Sequence, residues 1–549
     1  MPRPLPSYNW ADVIWLLTVD FGGSFHNVST EPVVVSRDDG TTVSYGGGLT
    51  DPTYRESLSR FTFSKDPLTV PIEAIFDELD IVKHRRKGFM LSNATCELSM
   101  VFRVGGAIQQ TYEQRYKIAS GLVSEPMFGD PNYPPGRIVF SINSMPYDDA
   151  GLFFKSNMRI NSNSMANFVD AANPLSAESE DKVYPLVFGS PGYYADVNQT
   201  PTTIEATPAY AISRTNVSKD AREVLIAGHH VSASTVKIYP KDQTAVSSLS
   251  VTNGFDFYRN PIAYVDVSGQ SSDFKKATEF WVSWDGGPGV KNAFATSGVV
   301  NGAGDLFMWA LTKVNVPVDN GAWASVRDYL NGFRFAGYIN DPETSVWGWI
   351  TEIAGMIPTL TIRNGPDGIY PIVQDIRAID EDCTKIVAGP DFFRVSGFQL
   401  EGEQASLVNT VTIEYAYKAN TDESQIYAVI GEEDLTEPQR FSSIHSAASI
   451  SRYGIKELAV TAPYVYNKAT AQLIAQSIVQ MKGQIPETIT YSGSSFYSFL
   501  SLGDQVSLTD DDLYLTDQIC TVCSKSWNGI GWDIKLLIED DISRDSRYF

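Results

Sequence analysis

Short apolar runs, broken by turn residues, dominate the chain. Most follow the strand period of two and not the helical period of 3.6. Residues 15–21 form an apolar run stopped by Gly22 and Gly23. Val33, Val34 and Val35 centre a second strand at 31–36. Asp39 and Gly40, a pair suited to a tight hairpin turn, separate it from a third at 41–45. Further strands are predicted at 68–77, 95–103 and 137–142, with Pro126, Pro131, Pro134 and Pro135 marking a loop-rich stretch before the last. Segment 155–181, full of Asn, Ser and Asp, reads as a long surface excursion or a linker. Strand signals resume at 186–188, 223–227 and 235–239, with turns at Asn253-Gly254 and in the glycine-rich stretch 285–289.

Two helices stand out. The first starts at Asp341-Pro342-Glu343, where Asp caps free N–H groups and Pro occupies the first helical position. Val346, Trp347, Ile350, Ile353, Ala354 and Ile357 give its apolar stripe, and Pro358 ends it. The second covers 467–482, with Ala471, Ile474, Ile478 and Met481 on one face and Gly483 as its stop. Between them Val411, Ile413, Tyr415 and Tyr417 alternate as in a half-buried strand. Strands at 488–491, 505–508, 519–525 and 533–538 follow, then a charged, extended tail at 541–549.

Length adds that 549 residues exceed one compact core, so three or four domains are expected. A chain that is 43% hydrophobic and only 19% charged is an ordered one. The net charge of -23 argues against a nucleic-acid grip, which rests on Lys and Arg. It is compatible with lining a passage through which DNA moves without sticking. Four cysteines do not make a disulfide framework. Residues 1–6 carry no signal-peptide core, and no apolar run approaches the ~18 residues of a membrane span. Synthesis in a reducing cytoplasm is the expectation.

Candidate chemistry is sparse. Cys520 and Cys523 form a CxxC, but on a strand they point to opposite faces, and Cys96 and Cys383 are isolated. Two small core residues are the simpler reading. His229 and His230, adjacent at a strand end, cannot easily share one metal; His26, His84 and His445 lack an evident acidic or nucleophilic partner. Asp510, Asp511, Asp512 and Asp517 lack the spacing and central glycine of a calcium loop and suit a solvated hairpin tip. No Gly-Lys-Ser/Thr follows the glycine-rich 285–290 stretch, and there is no G-x-S-x-G or H-E-x-x-H. The basic cluster Lys83, His84, Arg85, Arg86 and Lys87 suits a solvated loop first, and otherwise a contact with an acidic neighbour or with DNA in a passage. Arg544, Arg547, Tyr548 and Phe549 form a tail able to dock on a partner, with fraying as the alternative. No catalytic, cofactor or metal residue is assigned.

The succession of segments resembles the baseplate hub proteins of long-tailed bacteriophages, including the hub part of siphophage tail-tip proteins. Four places carry the likeness: Tyr45-Gly46-Gly47-Gly48-Leu49 after a strand-rich opening; Tyr184-Pro185-Leu186-Val187-Phe188-Gly189 with Thr207-Pro208-Ala209 and Leu225-Ile226-Ala227-Gly228-His229-His230; the helix at 347–357 with Asp367-Gly368-Ile369-Tyr370; and the helix at 469–481 with Leu500-Ser501-Leu502-Gly503-Asp504-Gln505-Val506. The resemblance implies a mainly β, multidomain chain with a few helices: two tube-like β-barrel domains plus connecting α+β domains. The expected divisions are 1–180, a first barrel with insertions; 181–340, β-rich; 341–455, helix plus barrel; and 456–549, helix, strands and tail. It further implies a non-enzymatic homotrimer at the distal end of a virion's tail, made and assembled in the host cytoplasm. Such a trimer adapts the hexameric tail tube to the tip and closes the DNA channel. Its partners would be the distal tail or tube protein above, the tape-measure C-terminus inside and fibre or tip proteins around it. The chain ends soon after the last hub-like module and lacks the fibronectin-like extension of some tail-tip proteins. The rival classes are a receptor-binding tail protein and a cell-wall hydrolase.

Overall fold

A computed structural model describes residues 12–20, 22–57, 69–76, 83, 86–87, 91–92, 94–128, 137–143, 151–194, 202–203, 205–241, 247–284, 300–314, 317–374, 383–400, 406–418, 425–430 and 447–538. The chain is mainly β and multidomain.

The first sheet runs in the order Val33–Ser36, Thr42–Gly47, Phe25–Ser29, Asp12–Asp20, Thr95–Val104, Tyr116–Phe128, Arg137–Asn143, Thr69–Ile75. Its central strand explains the apolar run that the sequence shows there. Trp15, Leu17 and Val19 enter one core, whereas Ile14 and Leu16 enter another on the opposite face. A strand buried on both sides cannot alternate with polar residues. The Asp39-Gly40 hairpin forms as expected: Val33 pairs with Tyr45 and Val35 with Val43. Gly40 supplies the left-handed turn angle at φ 81°, and the Asp39 carboxylate accepts the Thr41 N–H at 2.8 Å. Pro126 does not interrupt the chain but lies inside Tyr116–Phe128. The ladder with Arg137–Asn143 shifts register beside it, and such a bulge tolerates a residue without an N–H.

Six strands, Thr207–Ala211, Glu223–Ala227, Pro261–Asp266, Ser247–Phe255, Thr235–Pro240 and Phe280–Trp284, close into a barrel. Val224, Ile226, Val236, Ile238, Val265, Val282 and Trp284 fill it. The barrel lies in the stretch expected only to be β-rich. Asn253-Gly254 is not its turn: Asn253 pairs with Ala263 and Gly254 with Ile262. The chain reverses afterwards, around Asp256. Residues 155–181 hold no long element, yet they are anchored, with Ile160 and Met165 buried against Tyr184, Ile212, Leu225 and Ile262.

A terminal sheet runs Thr384–Val387, Gln505–Asp510, Leu515–Trp527, Gly531–Ile538, Glu487–Ser494, Phe392–Arg394, with Gln399–Leu400 continuing that last edge. Arg55–Ser57, from the opposite end of the sequence, pairs with Leu515–Trp527. The first and terminal sheets share one core. Trp15 meets Trp527 and Trp532 edge-on at 5.5 and 6.4 Å, and Tyr54 meets Trp532 at 5.7 Å.

Helices at Ala303–Leu311, Asn320–Leu330, Val346–Gly355 and Lys468–Lys482 build the remaining large core with the strands Thr410–Lys418 and Glu457–Ala462. The first two escape a periodicity search for opposite reasons. Every residue of Ala303–Leu311 is buried, so it has no polar face; Asn320–Leu330 buries only Trp323 and Leu330. The cap of the third helix is Ser345, which accepts the Gly348 N–H at 2.9 Å. Asp341 instead accepts the Glu343 N–H in a preceding turn. Asn467 caps the last helix as expected, accepting the Thr470 N–H at 3.2 Å. Asn467→Ala is expected to lower unfolding stability by about 1 kcal/mol, measured by urea titration. No helix among the described residues is long and apolar enough to cross a membrane.

Candidate assembly surfaces

Several scattered segments of the hub-like succession meet in space. Leu186–Phe188 pairs with Gly337–Ile339, and the Gly228 N–H donates to the Pro185 carbonyl at 2.7 Å. The Val187 N–H donates to His229 Nε2 at 3.0 Å. With Nε2 accepting, the proton sits on Nδ1, which donates to the His230 carbonyl at 3.0 Å. His230 Nε2 lies 2.9 Å from the Gly254 carbonyl. The histidine pair is thus a structural clasp between the barrel and the segment leading into it. Glycines sit where these segments touch. A Cβ on Gly228 would lie 2.6 Å from Tyr184 Cβ, one on Gly368 2.4 Å from the Pro317 carbonyl carbon, and one on Gly503 2.1 Å from Ile372 Cγ2.

Burial holds the His229 pKa below its usual value. A base with a depressed folded pKa binds more protons when unfolded, so its contribution to stability is complete above the unfolded pKa near 6.5 and declines as pH falls below it. Wild-type stability is therefore expected to drop on acidification from pH 6.5, before the carboxylates titrate. Denaturant midpoints across this range test it; His229→Gln should flatten that part of the profile.

The other flagged residues fall in ordinary structural places. Cys520 and Cys523 are both buried on Leu515–Trp527, and Cys523 Sγ donates to the Lys535 carbonyl at 3.3 Å. Burial pushes the Cys96 thiol up to about 12. Among the described residues no three His, Cys, Asp or Glu side chains gather as a metal-ligand group. Asp510 is not solvated: it is buried, accepts the Tyr491 hydroxyl at 2.6 Å and caps the short turn that carries Asp511 and Asp512. Asp511 and Asp512 are exposed, as a hairpin tip requires. Lys83, Arg86 and Lys87 are exposed. His84, Arg85, His445, the 285–289 glycines and the tail residues Arg544, Arg547, Tyr548 and Phe549 lie outside the described residues.

Two apolar surfaces were not foreseen. The first is the barrel's 256–260 hairpin end. Asp256, itself buried, accepts the Tyr184 hydroxyl at 2.9 Å, the Asn260 backbone N–H at 2.7 Å and the Asn260 side-chain amide at 2.8 Å. Burial and the Asp256 carboxylate push the Tyr184 hydroxyl well above the usual phenol range, so it stays a donor. This anchoring fixes a turn that holds Phe255, Phe257 and Tyr258 out in solvent, Phe257 being 58% exposed. The second is the terminal-sheet edge, where Phe393, Val395, Phe398 and Leu400 are all exposed. A cleft of about 440 Å³ also opens between the first sheet and the 364–368 hairpin, lined by Asp20, Phe25, Glu97 and Tyr112 among others. Glu97 is engaged there by Arg115, and Lys117 ties Asp367 at 2.6 Å.

No protein-family model matches the chain, and no curated protein matches it. Solved structures give looser likenesses. A tail protein from Neisseria meningitidis MC58 is 10% identical, with 97% of this chain and 99% of that one covered at a TM-score of 0.36. A chain of the native gene transfer agent virion is 13% identical over 51% of this chain and 81% of its own, at a TM-score of 0.19. A chain of the phage P2 baseplate in its activated conformation with Ca is 11% identical over 69% and 97%, at a TM-score of 0.14. Scores this low do not establish a shared fold.

Proposed function

We propose that this chain is a structural subunit of a phage-type virion tail, and that it works as a homotrimeric baseplate hub at the tail's distal end. One observation carries the reading: the barrel spends a buried carboxylate on holding Phe255, Phe257 and Tyr258 in water. Rigid exposed aromatics are characteristic anchors of protein interfaces. The succession of hub-like segments, several of them meeting at tight glycine contacts, supports the same reading. On it, the trimer adapts the tail tube to the tip and closes the DNA channel. The tube or distal tail protein sits above, the tape-measure C-terminus inside, and fibre or tip proteins around it. The work is assembly, carried by packed interfaces and not by chemistry.

Light scattering of the purified chain, with and without Phe257→Asp and Tyr258→Asp, tests this. A trimer of 60.5 kDa subunits that the substitutions dissociate, with circular dichroism unchanged, is the expected result. A monomer at every concentration that cleaves peptidoglycan would replace the reading with a hydrolase. A monomer that binds host cells would replace it with a receptor-binding protein.

A further inference from the structure

The cleft between the first sheet and the 364–368 hairpin has the build of a preformed site. On the face of Asp12–Asp20 that carries Ile14 and Leu16, the next positions are Thr18 and Asp20, so an apolar face turns polar where the cleft opens. The hairpin wall is held from two sides. The Ser120 hydroxyl donates to the Pro366 carbonyl at 2.6 Å, and Lys117 reaches Asp367 at 2.6 Å. Behind them the Ile369 N–H donates to the Pro317 carbonyl at 2.9 Å. The volume of about 440 Å³ falls within the roughly 300–1,000 Å³ of ligand sites.

One arginine–aromatic–carboxylate set at the cleft is complete within the chain. Glu97 and Tyr112 line the cleft. Arg115 lies over the Tyr112 ring, 3.8 Å from its centre, while its Nε donates to Glu97 at 2.9 Å. Asp20 and Phe25 supply the carboxylate and the ring of a second set. They stand directly opposite each other in their ladder, so their side chains share a face, with Cβ atoms about 5 Å apart. Asp20 lies two residues along its strand from Thr18, the partner of Glu97, which puts the two sets about 7 Å apart. Asp20 Oδ1 accepts the Gly23 N–H at 2.6 Å, but among the described residues no cation pairs with this carboxylate. Phe25 is 67% exposed and has no ring or cation against it among the described residues. Of the three carboxylates in the cleft, Glu97 and Asp367 are paired with Arg115 and Lys117, and Asp20 is the one left over.

A guanidinium satisfies both remaining groups at once. It is planar, stacks on an aromatic face and donates to a carboxylate in the same pose. An ammonium is a point charge without a stacking plane. A net charge of -23 steers a basic partner towards this surface. We propose that the cleft receives an arginine side chain from a basic segment of a partner protein, its guanidinium stacked on Phe25 and paired with Asp20. The inference stands apart from the hub reading, since it requires only a partner that presents an exposed arginine.

Saturation-transfer NMR of the full chain with acetyl-Gly-Arg-Gly-amide tests it, with the citrulline peptide as the uncharged counterpart of the same shape. The expected dissociation constant for the arginine peptide is on the order of 1 mM. Citrulline in place of arginine, and Asp20→Asn or Phe25→Ala in the protein, should each weaken binding about tenfold. Both side chains are at the surface, so circular dichroism of the two variants should be unchanged. Asp511→Asn, at an exposed carboxylate elsewhere, should leave binding as it is. No saturation transfer to the arginine peptide at about 20 mM, twenty times that constant, overturns the proposal. So does equal binding of the two peptides, or binding that Asp20→Asn leaves intact, which is attraction to an acidic surface in general. Binding of a neutral saccharide such as maltose, lost in Phe25→Ala while the arginine peptide is ignored, would assign the cleft to glycans instead.

Discussion

Residues 1–150 expressed alone are expected to show no cooperative unfolding transition, although they contain the whole first sheet. The apolar face that carries Trp15, Leu17, Val19, Leu98 and Met100 packs into one core with the terminal sheet, through Tyr491, Leu536 and Trp532. The contacts are specific: two edge-on tryptophan pairs to Trp15, a Ser498 hydroxyl 3.6 Å from Met100 Sδ, and the 55–57 strand laddered to 524–526. Each large side chain left exposed forfeits about 1.5–3 kcal/mol. Five such losses approach or exceed the ~5–15 kcal/mol that holds a typical domain folded. Urea titration followed by near-ultraviolet circular dichroism is the measurement. Co-expression with residues 151–549 should restore a transition. A sharp transition in the isolated fragment would show that the first sheet is self-sufficient, and that the shared core is only an interface.

The second large effect is expected at Gly189. Its φ of 63° is left-handed, and a Cβ there would sit 2.5 Å from the Phe335 carbonyl oxygen and 2.7 Å from Ala336 Cβ. Backbone cannot move aside as a flexible side-chain end can. Gly189→Val combines overpacking of about 1–3 kcal/mol with a left-handed backbone cost of about 1–2 kcal/mol, more for a β-branched residue. The result should be a loss of about 2–5 kcal/mol, or failure to accumulate as soluble protein. Gly40→Ala separates the two causes: φ is 81° there, but nothing lies within 4 Å of the added carbon. It should show the backbone cost alone. If Gly189→Ala costs no more than Gly40→Ala, the close approach at Gly189 does not constrain the fold.

Local signals read well wherever neighbours in sequence do the work. The Asp39-Gly40 hairpin and the Asn467 cap needed only a turn pair and one side-chain oxygen. The strand at 410–418 is legible because Val411, Ile413 and Tyr415, all buried, alternate with the half-buried Thr412 and Glu414. Legibility failed where burial comes from afar. Ala303–Leu311 is buried on every side, so no polar face marks it as a helix. Asn253-Gly254 is a good turn pair, yet closure of the barrel makes it strand and moves the reversal to a buried Asp256. Ser345, next to the first buried turn, caps the Val346–Gly355 helix, whereas Asp341 bonds the turn before it. Of the flagged chemistry, His229 and Asp510 turned out to be bonded parts of the framework. The aromatic tip and the apolar edge leave no mark in the sequence, because a sequence does not say which phenylalanines stay in water.

Period and capping act over a few residues, and they made the mainly β character, both expected helices and strands such as Val33–Ser36, Thr95–Val104 and Gly531–Ile538 legible in the sequence. Tertiary structure alone decided that the first and last stretches of the chain share one core, and that 207–284 close into a barrel. It also decided that Phe255, Phe257, Tyr258 and the 393–400 edge remain exposed. Those outcomes depend on which apolar faces find each other across hundreds of residues, and an apolar face carries no label naming its partner.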